Sequence, residues 1–459
     1  MNAPENRRPP LPPPSVRAFL VFLGPMMLAN VLQALSGTLN NIFIGQMIGV
    51  GALAAVSAFF PLLFFFVSFI IGLGAGASVL IGQAYGAHEP EKVKAVAGTT
   101  LTVSVIGGLL IAIFGGFFTE HLLGAVGTPP DIVADAVGYA RIMLIAMPGL
   151  FIFLLFTAMM RGVGDTVTPL YALALSTIVG LVLTPALIRG WAGLPAVGVL
   201  AGAYATIVSF LLALVWLAVH LLRQKHPLAP DSVFIRHLWI DWRILRTVLR
   251  VGVPTGIQVI LISLAEIAVL AFVNRFGSNA TAAYGAVNQV VGYVQFPAIS
   301  IAITASIFAA QAIGGGHTDR LGTITRTALL LNLMVTGGIV LLAYIFSRPL
   351  MGLFITSPPV IDLAQRLLHI TLWSYVIFGM AAAISGVMRA SGTVLVPTLI
   401  SIFAVFAIEV PVAWILSQHT SLGIDGIWIA YPVAFCAMLL MQGTFYRLAW
   451  RKKTITRLI

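Results

Sequence analysis

Long apolar runs follow one another along almost the whole chain, separated by short polar breaks. A bilayer core takes roughly 20 apolar residues of helix. The pattern therefore predicts twelve spans, starting near Ala18, Gly51, Val93, Val133, Thr166, Pro195, Arg246, Asn279, Leu321, Val360, Val394 and Gly423. Most breaks are too short for a soluble domain. The longest polar one, Arg223–Trp242 (RQKHPLAPDSVFIRHLWIDW), reads as a linker. Ahead of the first run, MNAPENRRPPLPPP is rich in proline, and residues 1–17 are expected to form a disordered cytoplasmic tail. The apolar run behind it is too long for the core of a cleavable signal.

A second pattern lies over the first. Arg161, Gly164 and Pro169 recur 228 residues later as Arg389, Gly392 and Pro397. Gln83 and Gly86 recur at the same offset as Gln311 and Gly314, and Gly49 with Ala54, Ala55 and Ala58 as Gly277 with Ala282, Ala283 and Ala286. One gap-free offset in three places marks a duplicated unit. It spans six helices, an even number, so corresponding helices cross the membrane in the same direction. The expected fold is all-α and integral to the membrane, with two six-helix lobes related by a pseudo-two-fold axis along the membrane normal. The lobes are expected at 18–222 and 246–459, joined by a cytoplasmic linker at 223–245, with a basic cytoplasmic tail at the end of the second. A cavity between them that opens alternately to either side is the mechanical expectation.

Composition removes other classes. With 59% hydrophobic and 8% charged residues, the chain is far from the roughly 25% charged residues of soluble domains. The net charge of +11 invites a nucleic-acid reading, but the placement of the charges opposes it. With the amino terminus inside, twenty Lys and Arg fall on inner segments and five (Arg141, Arg189, Arg275, Arg348, Arg366) on outer ones. That bias orients a membrane protein with both termini in the cytoplasm, and the basic face suits contact with anionic lipid. The single Cys436 lies inside the last span and cannot form an intramolecular disulfide. No HExxH, paired acidic motif or histidine set with metal-ligand spacing occurs, so neither a metal nor an integral-membrane enzyme is expected. Gly72–Gly76 (GLGAG) lacks the Lys–Ser/Thr of a phosphate loop and reads as close helix packing.

The repeated turn RGVGDTVTP has a local explanation. Glycine permits the tight turn, Asp165 and Thr166 can cap the next helix, and Pro169 fits its first turn. Arg161, Asp165 and Arg389 are the candidates for a gating role at these inner turns, beside the purely structural one of fixing helix ends.

Several longer segments carry a resemblance. GPMMLANVLQALSGTLNNIFIGQMIG, IGQAYGAHEPEKV, MRGVGDTVTPLYALAL and GLPAVGVLAGAYATIVS are similar to segments of the multidrug and toxic compound extrusion (MATE) transporters, and the likeness runs over nearly the whole chain. The resemblance implies a bacterial cytoplasmic-membrane antiporter that exports cationic or amphiphilic compounds against an inward flow of protons or sodium, without a cofactor and as a monomer. Flippases for lipid-linked intermediates share the architecture and form the alternative, although they usually carry further helices and a more cationic cavity. The chain departs from the family pattern in its first lobe. Where many members carry an aspartate in the first helix, Asn40 stands here; where the fifth helix usually has one, Thr184 stands in Leu183–Thr184–Pro185.

Only Glu266 and Glu409 lie deep within predicted spans. A carboxylate in hydrocarbon is costly, so such residues face a polar cavity or are protonated. Glu266 lies sixteen residues beyond Arg250, and Glu409 sixteen beyond Thr393, each roughly 24 Å along its helix. Both are expected at comparable depth in the outer half of the second lobe. Glu266 is the candidate for binding the coupling ion and Glu409 for supporting it or the substrate; neutral acids tying helices together are the plainer alternative. The glutamate that some relatives carry in helix seven sits about one turn nearer the inner end, so Glu266 matches in kind rather than in register. In the first helix, Asn30, Gln33 and Asn40 share one face, as do Tyr284, Asn288 and Gln295 in the eighth. These six are candidates for a substrate cavity, against the alternative of interhelical hydrogen bonding.

Overall fold

The computed structural model describes residues 14–459, and the rest of the expected tail lies outside the described residues. All secondary structure among them is helical. Ten helices are long and apolar enough to cross a membrane, and two bent pairs bring the number to twelve. In chain order the first six are α1 (Val16–Met47), α2 (Val50–Gly86), α3 (Pro90–Gly115), α4 (Val133–Ile145 with Met147–Gly162), α5 (Val167–Arg189) and α6 (Gly198–Arg223). The second six are α7 (Trp242–Asn274), α8 (Ser278–Gly314), α9 (Thr318–Ile345), α10 (Pro358–Thr371 with Ser374–Ala390), α11 (Leu395–Gln418) and α12 (Ile424–Lys452).

The two bent spans hold equivalent places in the repeat, and their causes differ. In α4 the axis turns by 53° around Ala146. Pro148, just beyond, has no N–H to return to the carbonyl of Leu144. In α10 the bend is 40°, and no proline sits at it. There the Tyr344 hydroxyl enters the ladder, accepting from the Trp373 N–H at 2.9 Å and donating to the His369 carbonyl at 3.2 Å. A side chain that takes over backbone partners in this way bends a helix.

The chain forms two compact units. One holds Pro25–Ile81 and Glu89–Ile257. In it α2 meets the start of α7 through glycine, since a Cβ on Gly72 would stand 2.5 Å from the Gly252 carbonyl oxygen, and the reverse also holds. That is the close packing GLGAG suggested. The connection 223–242 is fastened rather than loose. Asp231 caps the short helix Ser232–Arg236 through the Phe234 N–H at 2.9 Å and pairs with Lys94 of α3. Thr102 of α3 donates to the Leu238 carbonyl, and the Asp241 N–H donates to Thr99 at 3.3 Å.

The other unit holds the described part of Met1–Gly24, together with Gly82–His88 and Gln258–Ile459. Here the repeated pair Gln83/Gly86 packs directly on its own repeat mate. A Cβ on Gly86 would lie 2.1 Å from the Gln311 carbonyl oxygen, and one on Gly314 would lie 1.9 Å from that of Gln83. Only glycine lets the two backbones touch so closely. Gln83 is fully buried and satisfied, donating to the Ala390 carbonyl at 2.7 Å and accepting the Leu458 N–H at 2.8 Å.

Candidate functional site

The carboxyl of Glu266 on α7 sits between two phenols. Tyr284 of α8 and Tyr431 of α12 donate to its Oε2 at 2.9 and 3.0 Å, while their own oxygens are 3.0 Å apart. Each phenol has one proton, so with both directed at the carboxylate the tyrosine–tyrosine contact carries none. Tyr284 and Tyr431 are buried, whereas Glu266 remains partly accessible. The Tyr284 ring stacks on Trp428 with centroids 5.7 Å apart and planes within 8°, which fixes where its hydroxyl points. Asn288 lies one turn further along α8.

Glu409 is 2% exposed, and its Oε1 has no hydrogen-bond partner among the described residues. It ends a π-helical stretch, Ala404–Glu409, followed by Pro411. The missing proline N–H relaxes the ladder there, and the widened turn resets which way the carboxyl projects. Glu409 interacts electrostatically with Glu266. A pair of neighbouring carboxyls strongly resists carrying two negative charges at once. Chemically, the Glu266 carboxyl held by two phenols can take up a proton or one small cation.

The equivalent helices of the first half carry a neutral contact. Thr184 of α5 donates to the Asn40 Oδ1 of α1 at 3.3 Å, and Gly202 of α6 leaves room for the amide. Asn30 and Asn40 are half-buried and Gln33 is exposed. Along α8, Asn288 is exposed and Gln295 half-buried, so the face that begins at the Glu266 phenol opens outward from it.

At the turn after α4, Asp165 is buried and takes four partners. Its Oδ1 accepts the N–H groups of Val167 and Thr168 at 3.1 and 3.0 Å, and its Oδ2 accepts the Thr168 hydroxyl at 2.6 Å and lies 3.2 Å from His226 Nε2. The capping expected of Asp165 is present, while Thr166 makes no side-chain cap. Gly164 and its repeat mate Gly392 both have φ in the left-handed region, at 89° and 81°. Nδ1 of His226 accepts the Leu228 N–H at 3.1 Å, which leaves the ring proton on Nε2, facing the carboxylate. Burial works against the Asp165 charge, but the close contact with His226 and the hydrogen bonds from Thr168 outweigh it and hold the carboxyl below the usual carboxylate range. Arg161 and Arg389 are each half-buried near the end of their helix.

Comparison with known proteins decides the class. The MatE family model matches residues 25–186 and again 254–415, two copies that cover most of the chain. The chain belongs to the MatE family. Similar to it is a probable multidrug resistance protein of Bacillus subtilis, YoeA, 49% identical over 447 residues, which are 97% of this chain and 96% of that one. The probable multidrug resistance protein NorM of Thermotoga maritima is 28% identical over 429 residues, 91% of this chain and 89% of the relative. A solved MATE structure, in complex with MaL6, shares the fold with a TM-score of 0.89 at 23% identity, over 96% of this chain and 98% of that one. This MATE protein is thus a multi-pass membrane transporter of the multidrug efflux family and not an enzyme.

Two side chains of this MATE chain escaped the sequence reading. Tyr431 lies in an aromatic run (WIAYP) that reads as packing, although an intramembrane phenol needs a partner for its O–H. His226 looked like an ordinary linker residue, and its position three residues past Arg223 gives no hint of Asp165.

Proposed function

We propose that the protein is a bacterial cytoplasmic-membrane antiporter, with both termini inside and working as a monomer, that exports cationic or amphiphilic small molecules in exchange for protons or sodium. Glu266 binds the coupling ion, and Glu409 supports it. The observation that carries this is a partly accessible intramembrane carboxyl held by two phenols, in the same compact unit as a second buried carboxyl, Glu409, whose Oε1 has no hydrogen-bond partner among the described residues. With Glu266 charged, both phenols point their protons at Oε2. When the carboxyl takes up a cation, that oxygen is a poorer acceptor, and one phenol proton can turn to the other tyrosine 3.0 Å away. Ion binding thereby rearranges contacts among α7, α8 and α12, which is the differential interaction a transported ion needs in order to shift a conformational equilibrium.

Asn40 and Thr184, lacking charge, take no part in ion binding and contribute with Asn30, Gln33, Asn288 and Gln295 to a polar surface for varied substrates. Arg161, Asp165 and Arg389 fix the inner turns about which the helices move. The test is efflux of a fluorescent cation from right-side-out vesicles, with a proton or a sodium gradient imposed in turn. One gradient should drive efflux by the wild type and neither should drive it by Glu266→Gln; unchanged efflux by the variant contradicts the assignment.

A further inference from the structure

Residues 237–241, in the connection between α6 and α7, lie along α3 rather than clear of it. On α3, Lys94 is the last charged residue before Glu120, so the hydrocarbon boundary falls just beyond it. Asp231 meets Lys94 at that level. From there the connection runs further along the helix. A Cβ on Gly98 would stand 2.1 Å from the His237 carbonyl oxygen, and Thr102 donates to the Leu238 carbonyl. Gly98 and Thr102 lie about 6 and 12 Å past Lys94 at 1.5 Å per residue. Irregular backbone at that depth needs partners that water does not supply. Thr99 provides two, donating to the Trp239 carbonyl at 3.4 Å and accepting the Asp241 N–H at 3.3 Å. The side chains here stay uncovered: Trp239 is 85% exposed, Trp242 is 73% exposed, and Ile235 is exposed as well. Arg236, Arg243 and Arg246 are exposed among them. Asp241 is engaged as the cap of α7, its Oδ1 accepting the Arg243 and Ile244 N–H groups at 2.9 and 3.4 Å.

We propose that residues 235–246 form an interfacial anchor for anionic phospholipid of the leaflet on this side, the inner one in the topology proposed above. The backbone of the stretch is bonded to α3 at the level where acyl chains meet headgroups. Indole rings are amphipathic and settle at that level, so the two uncovered tryptophans have lipid as their solvent. Guanidinium forks match headgroup phosphate oxygens in pairs. A basic residue close to an anionic membrane surface adds about fivefold in affinity, and three stand here within eleven residues of one another. His226 of the same connection pairs with Asp165, so the anchor ties the turn after α4 to the lipid surface. Nothing in this inference depends on Glu266 or on which ion is coupled.

The test is photocrosslinking of the full-length protein in liposomes of equal phosphatidylglycerol and phosphatidylcholine, with p-benzoylphenylalanine in place of Trp239. Adducts formed on illumination are identified by mass spectrometry. They should be lipid adducts, with phosphatidylglycerol exceeding phosphatidylcholine at least about threefold. Arg236→Gln/Arg243→Gln/Arg246→Gln in the same background should bring the ratio close to one. Should that variant fail to fold, salt must lower the ratio instead, since the screening length shrinks from about 10 Å at 0.1 M to about 3 Å at 1 M. The same probe in place of Ile178, exposed near the middle of α5, should show no preference between the lipids. Adducts with protein, including a second copy of the chain, or no lipid adduct at position 239, overturn the proposal. So does a ratio near one there, a preference equal to that at position 178, or one that neither arginine removal nor salt changes.

Discussion

Replacing Asp165 by asparagine isolates what fastens the linker to the first half. The asparagine oxygen can still accept the N–H groups of Val167 and Thr168, so the cap survives in part. Its amide nitrogen takes the place of Oδ2, which lies 2.6 Å from the Thr168 hydroxyl and 3.2 Å from His226 Nε2. The hydroxyl can turn and accept from it. His226 cannot, because its other nitrogen is already engaged by the Leu228 N–H, so two N–H groups face each other in a buried site. Hydrogen bonds to a charged group contribute about 1.5–3 kcal/mol, and a stranded buried donor costs about 1–3 kcal/mol. The expected loss is about 2.5–6 kcal/mol of unfolding free energy, read from denaturation in mixed micelles. In Asp165→Asn/His226→Ala most of the second part should disappear, giving a coupling of about 1–2 kcal/mol, within the range for contacting residues.

The same pair sets a pH dependence. An unfolded aspartate titrates near about 3.9, and in the fold Asp165 is held below the usual range by His226 and Thr168. A depressed carboxyl stabilises the folded state fully above its unfolded value, and the contribution drains away as pH falls toward the folded one. The stability difference between wild type and Asp165→Asn should therefore be flat from pH 5 upward and shrink below about pH 4. A loss under about 0.5 kcal/mol, a coupling near zero, or a difference that grows on acidification would refute this reasoning.

Three further outcomes follow from the geometry. Gly314→Ala puts a Cβ 1.9 Å from the Gln83 carbonyl, so α2 and α8 must separate; overpacking of this kind costs about 1–3 kcal/mol, and the thermal midpoint should fall clearly more than for Gly322→Ala, which has open space. Tyr284→Phe and Tyr431→Phe each remove one of two donors from Glu266; each should slow gradient-driven efflux severalfold without loss of folded protein, and the double variant should approach Glu266→Gln. Asn40→Asp places an ionisable group next to Thr184 and should make the pH profile of efflux broader or two-stepped, while a profile identical to wild type would show that the position is insulated from transport.

Much of the architecture was legible because the bilayer imposes one simple rule, an apolar helix long enough to cross. Val133 was expected to open the fourth span and does, and Gly423, expected to start the last, caps a helix from Ile424. Repetition added more than hydropathy could, since Gln83/Gly86 and Gln311/Gly314, picked out only as an echo, meet in space. The candidate site was half legible. Glu266 and Glu409 stood out because acids are rare in hydrocarbon. Their phenols did not, because tyrosine is ordinary packing material and its hydroxyl partner lies 18 residues away for Tyr284 and 165 for Tyr431. The fastening of the linker was hidden for a related reason. Polarity marked only a linker, yet His226, Leu228 and Phe234 are buried, and burial of a short polar segment depends on partners that hydropathy does not register.

The most direct measurement is ion movement itself. In proteoliposomes loaded with a pH-sensitive and a sodium-sensitive dye, addition of a transported cation should release one of the two ions in wild type, in fixed ratio to the substrate moved. With Glu266→Gln that release should vanish, even if slow downhill substrate movement remains. Ion release from the variant at the wild-type ratio would contradict the central claim, that Glu266 between Tyr284 and Tyr431 carries the coupling ion.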